Sequence, residues 1–445
     1  MILLKNATIV TSEKEAVGSI VIEGEKIKEI RYSGDNDYEY YIYKYSKDAE
    51  EVHDLTGLHI MAGGIDAHVH FREPGLTHKA DMSTESRAAI SGGVTSVIDM
   101  PNTIPATTTA AALMDKLQIA AAADGARISF HIGATNENID DLCRLVKDGD
   151  ETTGLKPEDI AGVKVFMGSS TGNMLVDDSK TLEALFSIKG KPILVHCEDE
   201  ATIKDNLAAA IAKYGEDIPF SEHENIRSRK ACIKSSIKAL EMAIKHGTQL
   251  VLCHISTKEE IEMVRAAKTN NPAITAETSC NYLWFSNNDY DRLGSKAKCN
   301  PSIKTSEDRT ALRTALANGV IDTIGSDHAP HLPAEKDQVY TKAPSGLPSI
   351  QQSLPILLTI AKEDEIPLTR IASVFSEKAS EIYNLSRGKI APGYDADLVV
   401  FDYEGKFIVE DSDQLSKCGW SPYSGTELYG VIKKVFINGK LKYGA

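Results

Sequence analysis

The chain has 445 residues and is acidic, with 64 Asp and Glu against 49 Lys and Arg and a formal charge of −15. That balance argues against a non-specific nucleic-acid-binding protein, which needs a basic surface. No stretch approaches the ~20 uninterrupted apolar residues that cross a membrane. We expect a cytoplasmic enzyme with reduced thiols, because its seven cysteines include no CxxC pair and a chain of this length needs no disulfides.

The two ends of the chain, residues 1–58 and 385–445, share an alternation of apolar and polar side chains. It is seen in LLKNATIVT and GSIVIEGEKIKEI near one end, and in DADLVVFDY and GVIKKVFINGKLKYG near the other. A period of two residues predicts half-buried β-strands. We therefore predict that both ends together form one small β-sandwich around a different middle.

A tyrosine-rich segment interrupts the first of these ends. Its members are Tyr32, Tyr38, Tyr40, Tyr41, Tyr43 and Tyr45. We interpret the segment as a surface hairpin that extends the sandwich, in preference to an aromatic platform for a ligand. The sequence assigns it no function.

The middle of the chain, residues 59–384, alternates short apolar runs with longer amphipathic segments. The eight runs are HIMAGGIDAH, VTSVIDM, RISFHIG, GVKVFMG, PILVHCE, LVLCHIS, AITAETS and IDTIGSD. Helix-like segments such as residues 84–90 and 258–268 separate them. Eight β/α units predict an α/β fold of the TIM-barrel type rather than an open doubly wound sheet. Neither a GxxxxGK[ST] nor a GxGxxG phosphate loop occurs.

Metal-ligating residue types lie at the ends of these runs, where a TIM barrel carries its active site. The first run leads into His68 and His70, which the two-residue period of a strand puts on one face. The other candidates are Lys164, His196, His254 and Asp327. Imidazole with carboxylate suits zinc, although manganese or cobalt also fits. The sequence therefore predicts a metal centre on one rim of the barrel.

Lys164 lies between Val163 and Val165 in the fourth run, so it points into the barrel if they point outward. A buried ammonium beside divalent cations is unfavourable. The neutral amine can add carbon dioxide and become a carbamate, an anionic ligand able to bridge two metals. The alternative is a lysine that reaches solvent or pairs with Asp327. The residues alone leave both interpretations open.

Three motifs together resemble the dihydroorotases of the amidohydrolase superfamily. They are DAHVHFREPG at residues 66–75, DMPNT at residues 99–103 and SDHAPH at residues 326–331. The match extends in the same order along nearly the whole chain, through residues 163–167, 195–198, 253–257 and 299–301. An HxH pair alone is shared by many metallohydrolases, so the resemblance rests on the combination.

The resemblance implies reversible ring opening of L-dihydroorotate to N-carbamoyl-L-aspartate, a step of de novo pyrimidine (UMP) synthesis. It also implies two divalent metal ions, most simply Zn²⁺, with a bridging hydroxide and with Asp327 as general acid and base. The ligands it implies are His68, His70, carboxylated Lys164 and Asp327 for the more buried ion, and Lys164, His196 and His254 for the second. Some family members have an aspartate where this chain has Lys164, so it resembles the carbamate-bridged branch.

Substrate contacts are implied by the same resemblance. They are Arg72, Asn102 and His331 for a carboxylate, Asn300 for a further contact, and Ser345 and Gly346 in a loop against the pyrimidine ring. Ser345 replaces the Phe expected in that loop, a change that bears on ring packing and affinity. The guanidinium of Arg72 suits a bidentate carboxylate pair. The alternative for it is a surface ion pair with Glu73 or Glu85.

Two other functions stay open. Another cyclic amidohydrolase, such as an allantoinase or dihydropyrimidinase, would act on a largely neutral substrate. An inactive dihydroorotase-like subunit that scaffolds a transcarbamoylase would be expected to lose metal ligands, and this chain has each one that the family implies. The expected partner is therefore a small-molecule substrate, and the resemblance is compatible with a homodimer.

Some residues near the predicted site are interpreted as structural. His328 follows a predicted ligand and either supports the site or packs in the core. Cys197 and Cys253 adjoin predicted ligands, but strand alternation points them away from the site. Residues 169–172 (SSTG) are interpreted as a strand-end loop in preference to a phosphate site.

Overall fold

The computed structural model describes residues 1–168 and 174–444, which form two eight-stranded sheets and surrounding helices. The strands are β1 Ile2–Val10, β2 Glu15–Glu23, β3 Lys26–Tyr32, β4 Glu51–Asp54, β5 His59–Ala62, β6 Gly64–Val69, β7 Val94–Asp99, β8 Arg127–Gly133, β9 Ile160–Phe166, β10 Ile193–His196, β11 Leu250–Leu252, β12 Ile274–Thr278, β13 Thr323–Ile324, β14 Leu398–Ile408, β15 Glu427–Ile437 and β16 Lys440–Tyr443.

The α-helices within the same described ranges are α1 Tyr38–Asp48, α2 Met82–Ser91, α3 Ala110–Ala120, α4 Ile139–Asp148, α5 Ser179–Phe186, α6 Glu200–Tyr214, α7 His223–Ile226, α8 Arg229–His246, α9 Lys258–Lys268, α10 Cys280–Trp284, α11 Tyr290–Leu293, α12 Ser306–Ala317, α13 Pro333–Lys336, α14 Ser353–Glu363, α15 Leu368–Ala372 and α16 Lys378–Ile382. A π turn, Ser373–Glu377, joins the last two. None of the described helices is long and apolar enough to cross a bilayer.

Strands β6 to β13 form a parallel barrel in chain order. Each predicted run contributes one of its strands. The barrel closes between its ends, where Val69 bridges His328 in parallel and the backbone N–H of His70 donates to the carbonyl of His328 at 2.8 Å. The prediction of a TIM barrel is confirmed.

Helices cover the outer face of this barrel because alternate strand residues are apolar and point outward. In β9, Val163 and Val165 lie in the large hydrophobic core, and Lys164 between them points inward. Helix α9 follows β11 and begins with a capping box, in which the backbone N–H of Glu260 donates to Thr257 at 3.2 Å. The predicted helical segments at residues 84–90 and 258–268 correspond to α2 and α9.

The terminal segments build the other sheet, in the order β16-β15-β14-β5-β1-β2-β3, with β4 beside β1. The prediction that the two ends together form a small β-sandwich domain is confirmed by this separate sheet, to which both termini contribute strands. Strand β5 pairs with both β1 and β14. The first predicted run is therefore divided: residues 59–62 belong to the terminal sheet and residues 64–69 to the barrel.

The tyrosine-rich segment forms a helix, so the prediction of a hairpin is wrong. Tyr38, Tyr41 and Tyr45 are buried on one face of α1, whereas Tyr40 and Tyr43 are exposed. The buried residues are spaced three and four apart, which is the helical period. Two of them pack in a small cluster with residues of β1 and β2. The tyrosines thus attach a surface helix to the terminal sheet.

Charged residues join the terminal unit to the amino-terminal end of the barrel. Arg127, the first residue of β8, donates to Asp395 at 2.7 Å and to Asn438 at 2.9 Å, and lies 3.4 Å from Asp397. The Asp397 side chain is fully buried. A buried carboxylate requires compensation by a cation or by hydrogen bonds, so this contact stabilises the junction.

Replacing Arg127 with Met is expected to lower the free energy of unfolding by about 2 kcal/mol, which urea denaturation measures. This is less than the ~3–5 kcal/mol for breaking a fully buried pair, because Arg127 is 31% exposed. Arg265→Met, which removes an exposed pair with Glu262, is the matched control and should change stability by less than about 0.5 kcal/mol. Equal effects of the two substitutions would contradict the stabilising role of the junction.

Candidate active site

The six predicted metal ligands line one small cavity at the carboxyl ends of the barrel strands. The residues around it are His68, His70, Lys164, Phe166, His196, His254, Asn300, Asp327, Ala329, Ser345 and Gly346. Nine of the twelve predicted site residues are thus brought together directly. The other three, Arg72, Asn102 and His331, are linked to this set by the contacts described below.

His68 and His70 point their ring nitrogens at the carboxylate of Asp327. Nε2 of His70 lies 3.1 Å and Nε2 of His68 lies 3.5 Å from Oδ1 of Asp327. The opposite nitrogens donate elsewhere, Nδ1 of His68 to Glu277 at 2.7 Å and Nδ1 of His70 to Asn102 at 2.8 Å. With Nδ1 donating, the neutral form of each ring has its lone pair on Nε2. Two lone pairs therefore converge on an anion.

A second pair of imidazoles lies on the other side of the cavity. Nδ1 of His196 is 2.9 Å from Nε2 of His254. Nε2 of His196 donates to Glu198 at 2.9 Å, which leaves its Nδ1 as a lone pair. Burial lowers the pKa of His196, and lowers that of His254 well below its usual value. Both rings are neutral at physiological pH, the form that binds metals.

Left-handed backbone conformation brings His254 and Asp327 into the cavity, whereas His196 reaches it by strand alternation. His196 belongs with Leu194 to the inward face of β10, as alternation predicts. His254 and Asp327 follow strand ends and adopt left-handed backbone with φ of 40° and 50°. Such values are uncommon for residues other than glycine and are often retained at functional sites. Here they turn each side chain toward the barrel axis.

Lys164 is fully buried, and its Nζ donates to Sγ of Cys253 at 3.3 Å. The alternative of a lysine that reaches solvent is therefore wrong. The prediction that Cys253 points away from the site is also wrong, because this thiol continues the inward face of β11 after Val251. The left-handed turn at His254 lets two successive residues both face inward. Cys197 packs in the core outside the strands, as predicted.

The donor set fits divalent cations. Neutral imidazoles and a carboxylate are the ligands that zinc prefers in catalytic sites. Lone pairs on His68 and His70 that face an anionic Asp327 repel it unless a cation lies among them. Each pair also has a carboxylate behind it, Glu277 for His68 and Glu198 for His196. Such carboxylates orient the ligating nitrogen and raise its basicity.

Arg72 lies beside the ligand set and is buried, with 3% of its surface exposed. Its Nε donates to the carbonyl of Pro330 at 3.2 Å, and its Nη2 lies 3.1 Å from Nε2 of His331. Burial lowers the pKa of Arg72 to about 10, so the group remains charged at neutral pH. The alternative of a surface ion pair is therefore wrong. The carbonyl of Ser345, 3.0 Å from Nε2 of His331, completes this corner.

A buried ion pair fixes the segment that carries Arg72. Asp99 accepts the backbone N–H of Phe71 at 2.7 Å and pairs with Lys116, and both charged side chains are fully buried. The same Lys116 donates to the carbonyl of Met100 at 3.1 Å. The pair therefore connects the segment after β6 with the segment after β7, which carries Asn102.

Comparison with known proteins assigns the chain to a family. The model of the amidohydrolase family matches residues 59–442. The chain belongs to the amidohydrolase family. It is 33% identical over 440 residues to a dihydroorotase of Methanosarcina mazei, covering 95% of this chain and 90% of the relative. It is 30% identical over 411 residues to an allantoinase of Desulfitobacterium hafniense, covering 89% of this chain and 87% of the relative.

An L-hydantoinase (dihydropyrimidinase) from Arthrobacter aurescens has the same fold, with a TM-score of 0.87 and 25% sequence identity. The superposition covers 99% of this chain and 95% of that chain. The family recognised from the motifs is confirmed, as is the prediction that the chain is a hydrolase. The fold alone does not decide the substrate.

Other contacts of this amidohydrolase support the site from outside. His328 donates through Nε2 to Glu85 at 2.7 Å and accepts the backbone N–H of Ser349 at 3.0 Å through Nδ1. It therefore buttresses the segment that carries Asp327 and does not face the cavity. The SSTG segment interpreted as a strand-end loop lies outside the described residues.

Sequence reasoning missed several residues of this amidohydrolase that contact its predicted site residues. Glu198 lies two residues after His196, and the period of a strand could have placed it on the same face. Glu277 belongs to a strand that carries no predicted ligand, so its contact with His68 depends on the barrel geometry. Lys79 lies in the loop between β6 and α2, and no periodicity predicts its contact with His331.

Proposed function

We propose that this amidohydrolase is a dihydroorotase of pyrimidine synthesis, which interconverts L-dihydroorotate and N-carbamoyl-L-aspartate in the cytoplasm. The observation that carries the proposal is the buried Arg72 beside His331, adjoining a cavity lined by four imidazoles and Asp327. A permanently charged guanidinium in that position suits a substrate with a carboxylate on a cyclic amide. The full-length relationship to a dihydroorotase supports it.

The donor set suggests two divalent cations, with Zn²⁺ the first candidate. In our proposal, His68, His70 and Asp327 hold one, His196 and His254 hold the other, and Lys164 serves both as a carbamate. The amine of Lys164 is buried, lines the cavity and contacts Sγ of Cys253 at 3.3 Å, so a carbamate formed there with carbon dioxide would lie among the other predicted ligands. When bound, the cations would polarise the ring carbonyl and acidify a water molecule at the site.

The chain's own residues would orient the substrate and move the proton. Arg72, with Asn102 and His331, would hold the carboxylate and so fix the ring amide in the cavity. The carboxylate of Asp327 borders this cavity. It would take the proton of the attacking water and deliver it to the ring nitrogen as the carbon–nitrogen bond breaks. In ring closure the same group would act in the opposite order.

A second candidate function is hydrolysis of a neutral cyclic amide, as the names of the Arthrobacter hydantoinase and the Desulfitobacterium allantoinase suggest. The two candidates share a metal centre and differ in whether the ring carries a carboxylate. A panel of dihydroorotate, dihydrouracil, hydantoin and allantoin, assayed with purified protein, separates them. An inactive scaffold subunit would bind no metal and turn over none of the four.

Replacing Asp327 with Asn is expected to lower kcat for dihydroorotate about a thousandfold, within the range for loss of general acid–base catalysis. Metal content is measured on the same sample, so that loss of a ligand is separated from loss of proton transfer. Asp124→Asn, at an exposed ion pair with Lys442, is the control. Activity above a few per cent of wild type would remove Asp327 from this role.

Replacing Lys164 with Ala is expected to reduce the bound metal from two equivalents to one or none, as measured by elemental analysis after gel filtration. Labelling with ¹³C-bicarbonate should give a carbamate signal in the wild type that the variant lacks. Lys268→Ala, which removes a lysine paired with Asp322 outside the barrel, should keep two equivalents. Two equivalents in Lys164→Ala would refute the bridging role.

Replacing Arg72 with Met is expected to raise KM for dihydroorotate about a hundredfold, the loss of two charge-assisted hydrogen bonds. The inhibition constant of dihydrouracil, which lacks the carboxylate, should change less than about threefold. Arg72→Lys keeps the charge without the fork and should lie between the two. Equal losses for both ligands would show that Arg72 does not bind a carboxylate.

A further inference from the structure

Lys79 reaches the carboxylate-binding corner from a loop that neither strand nor helix pattern predicts. Successive turns shape this loop, since Leu76 donates to the carbonyl of Arg72 and Lys79 to that of Leu76, each at 3.0 Å. The Lys79 side chain is 13% exposed. Its Nζ lies 3.1 Å from Nδ1 of His331 and 2.8 Å from Oε1 of Glu335. It is therefore held between an imidazole and a carboxylate.

These contacts decide which nitrogen of His331 carries the proton. The Lys79 ammonium only donates and needs a lone pair on Nδ1, whereas the Arg72 guanidinium, 3.1 Å from Nε2, needs one on Nε2. The carbonyl of Ser345 only accepts, so together with Lys79 it assigns the lone pair to Nδ1. The remaining nitrogen, Nε2, then carries the hydrogen and donates to the carbonyl of Ser345 at 3.0 Å. The opposite tautomer would set an N–H against the ammonium of Lys79 and a lone pair against that carbonyl. Protonation of both nitrogens would also set an N–H against Lys79.

The same assignment leaves a donor of Arg72 available. Its Nη2 lies 3.1 Å from Nε2 of His331, but both groups carry hydrogens, so no hydrogen bond joins them. Nε2–H is engaged with the carbonyl of Ser345, so the donor left without a partner among the described residues of this corner is Nη2–H of Arg72, which requires an acceptor from the substrate. A carboxylate oxygen meets this requirement, and a neutral ring oxygen meets it less strongly.

We propose that Lys79 is a positioning residue for recognition of the substrate carboxylate. By occupying Nδ1 of His331, it fixes the tautomer in which Nε2 donates to Ser345 and does not accept from Arg72, so that Nη2–H of Arg72 stays available for the carboxylate. Glu335 orients Lys79 and is itself fixed, because it accepts the backbone N–H of Leu332 at 2.8 Å. Lys79 acts through His331 and does not contact the substrate. The inference rests on the proposed function, since it requires a substrate with a carboxylate.

The test compares steady-state kinetics of dihydroorotate hydrolysis by the metal-loaded wild type, Lys79→Met, Lys79→Arg and Lys5→Met. We expect Lys79→Met to raise KM about tenfold, which corresponds to 1.4 kcal/mol, with kcat within about twofold of wild type. Arg donates as Lys does, so Lys79→Arg should restore most of the loss. Lys5, paired with Asp54 in the terminal sheet and 25% exposed, is the matched control and should leave KM unchanged.

The inhibition constant of a neutral ligand separates a role in carboxylate recognition from a general structural role of Lys79. The inhibition constant of dihydrouracil should be the same in Lys79→Met and wild type, whereas that of orotate should rise with KM. If Lys79→Met does not fold, Glu335→Gln, which removes the carboxylate that orients the ammonium, should raise KM in the same direction by a smaller factor.

The outcomes separate this inference from the proposed function. No turnover of dihydroorotate by the wild type would overturn the proposed function and this inference with it. Normal wild-type turnover with an unchanged KM in Lys79→Met would overturn the role of Lys79 alone. So would equal weakening of orotate and dihydrouracil, or failure of Lys79→Arg to recover.

Discussion

The closure of the barrel between its first and last strands is the constraint on which the site depends. His68 lies in the first barrel strand with His70 just after it, and Asp327 follows the last strand, so they meet only because the sheet closes. Asp66 accepts the backbone N–H groups of both His68 and Ser326 at 3.1 Å, which ties the two strand ends together. The repulsion between imidazole lone pairs and the Asp327 carboxylate is therefore built into the fold, and a bound cation would relieve it.

Most of the architecture follows from periodicity. Eight apolar runs with intervening helices predicted the barrel, because parallel strands buried on both sides have near-continuous apolar sequences. Alternation also predicted the inward direction of Lys164 and His196. It failed at Cys253, because the left-handed backbone of His254 lets consecutive residues face the same way. It failed again at α1, where a three-and-four spacing of tyrosines lay within a region of strand-like alternation. Contacts such as that of Lys79 depend on loop turns, which carry no period.

The negative net charge of the chain did not predict the local positive charge beside the cavity. The chain carries a formal charge of −15, yet Arg72 and Lys79 meet at one corner of the cavity. Two further lysines, Lys336 and Lys298, lie behind it, and no carboxylate of the described part of the chain lies within ion-pair distance of either. Lys336 donates to the carbonyls of Lys298, Pro344 and Gly346, and Lys298 to those of Tyr340 and Ala343. Burial lowers the pKa of Lys336 to about 7 and that of Lys298 to about 8. Both lysines donate to backbone carbonyls of the loop that lines the cavity. Backbone dipoles therefore hold this loop in place of ion pairs.

One short segment of the chain supplies both the predicted metal ligands and the residue proposed to bind the substrate carboxylate. His68, His70 and Arg72 are spaced two residues apart, and the left-handed backbone of Arg72, with φ of 67°, turns its guanidinium toward His331. In the proposed function, a substrate held at Arg72 would be set at a fixed distance from the imidazoles, because backbone hydrogen bonds from His70 to His328 and from Phe71 to Asp99 hold the segment between them. In the proposed function, the imidazole end would suit any cyclic amide, whereas the Arg72 end would suit those that carry an anion. Under that proposal, substrate choice would depend on the loop residues that position Arg72 and His331, and the barrel residues would carry out the reaction.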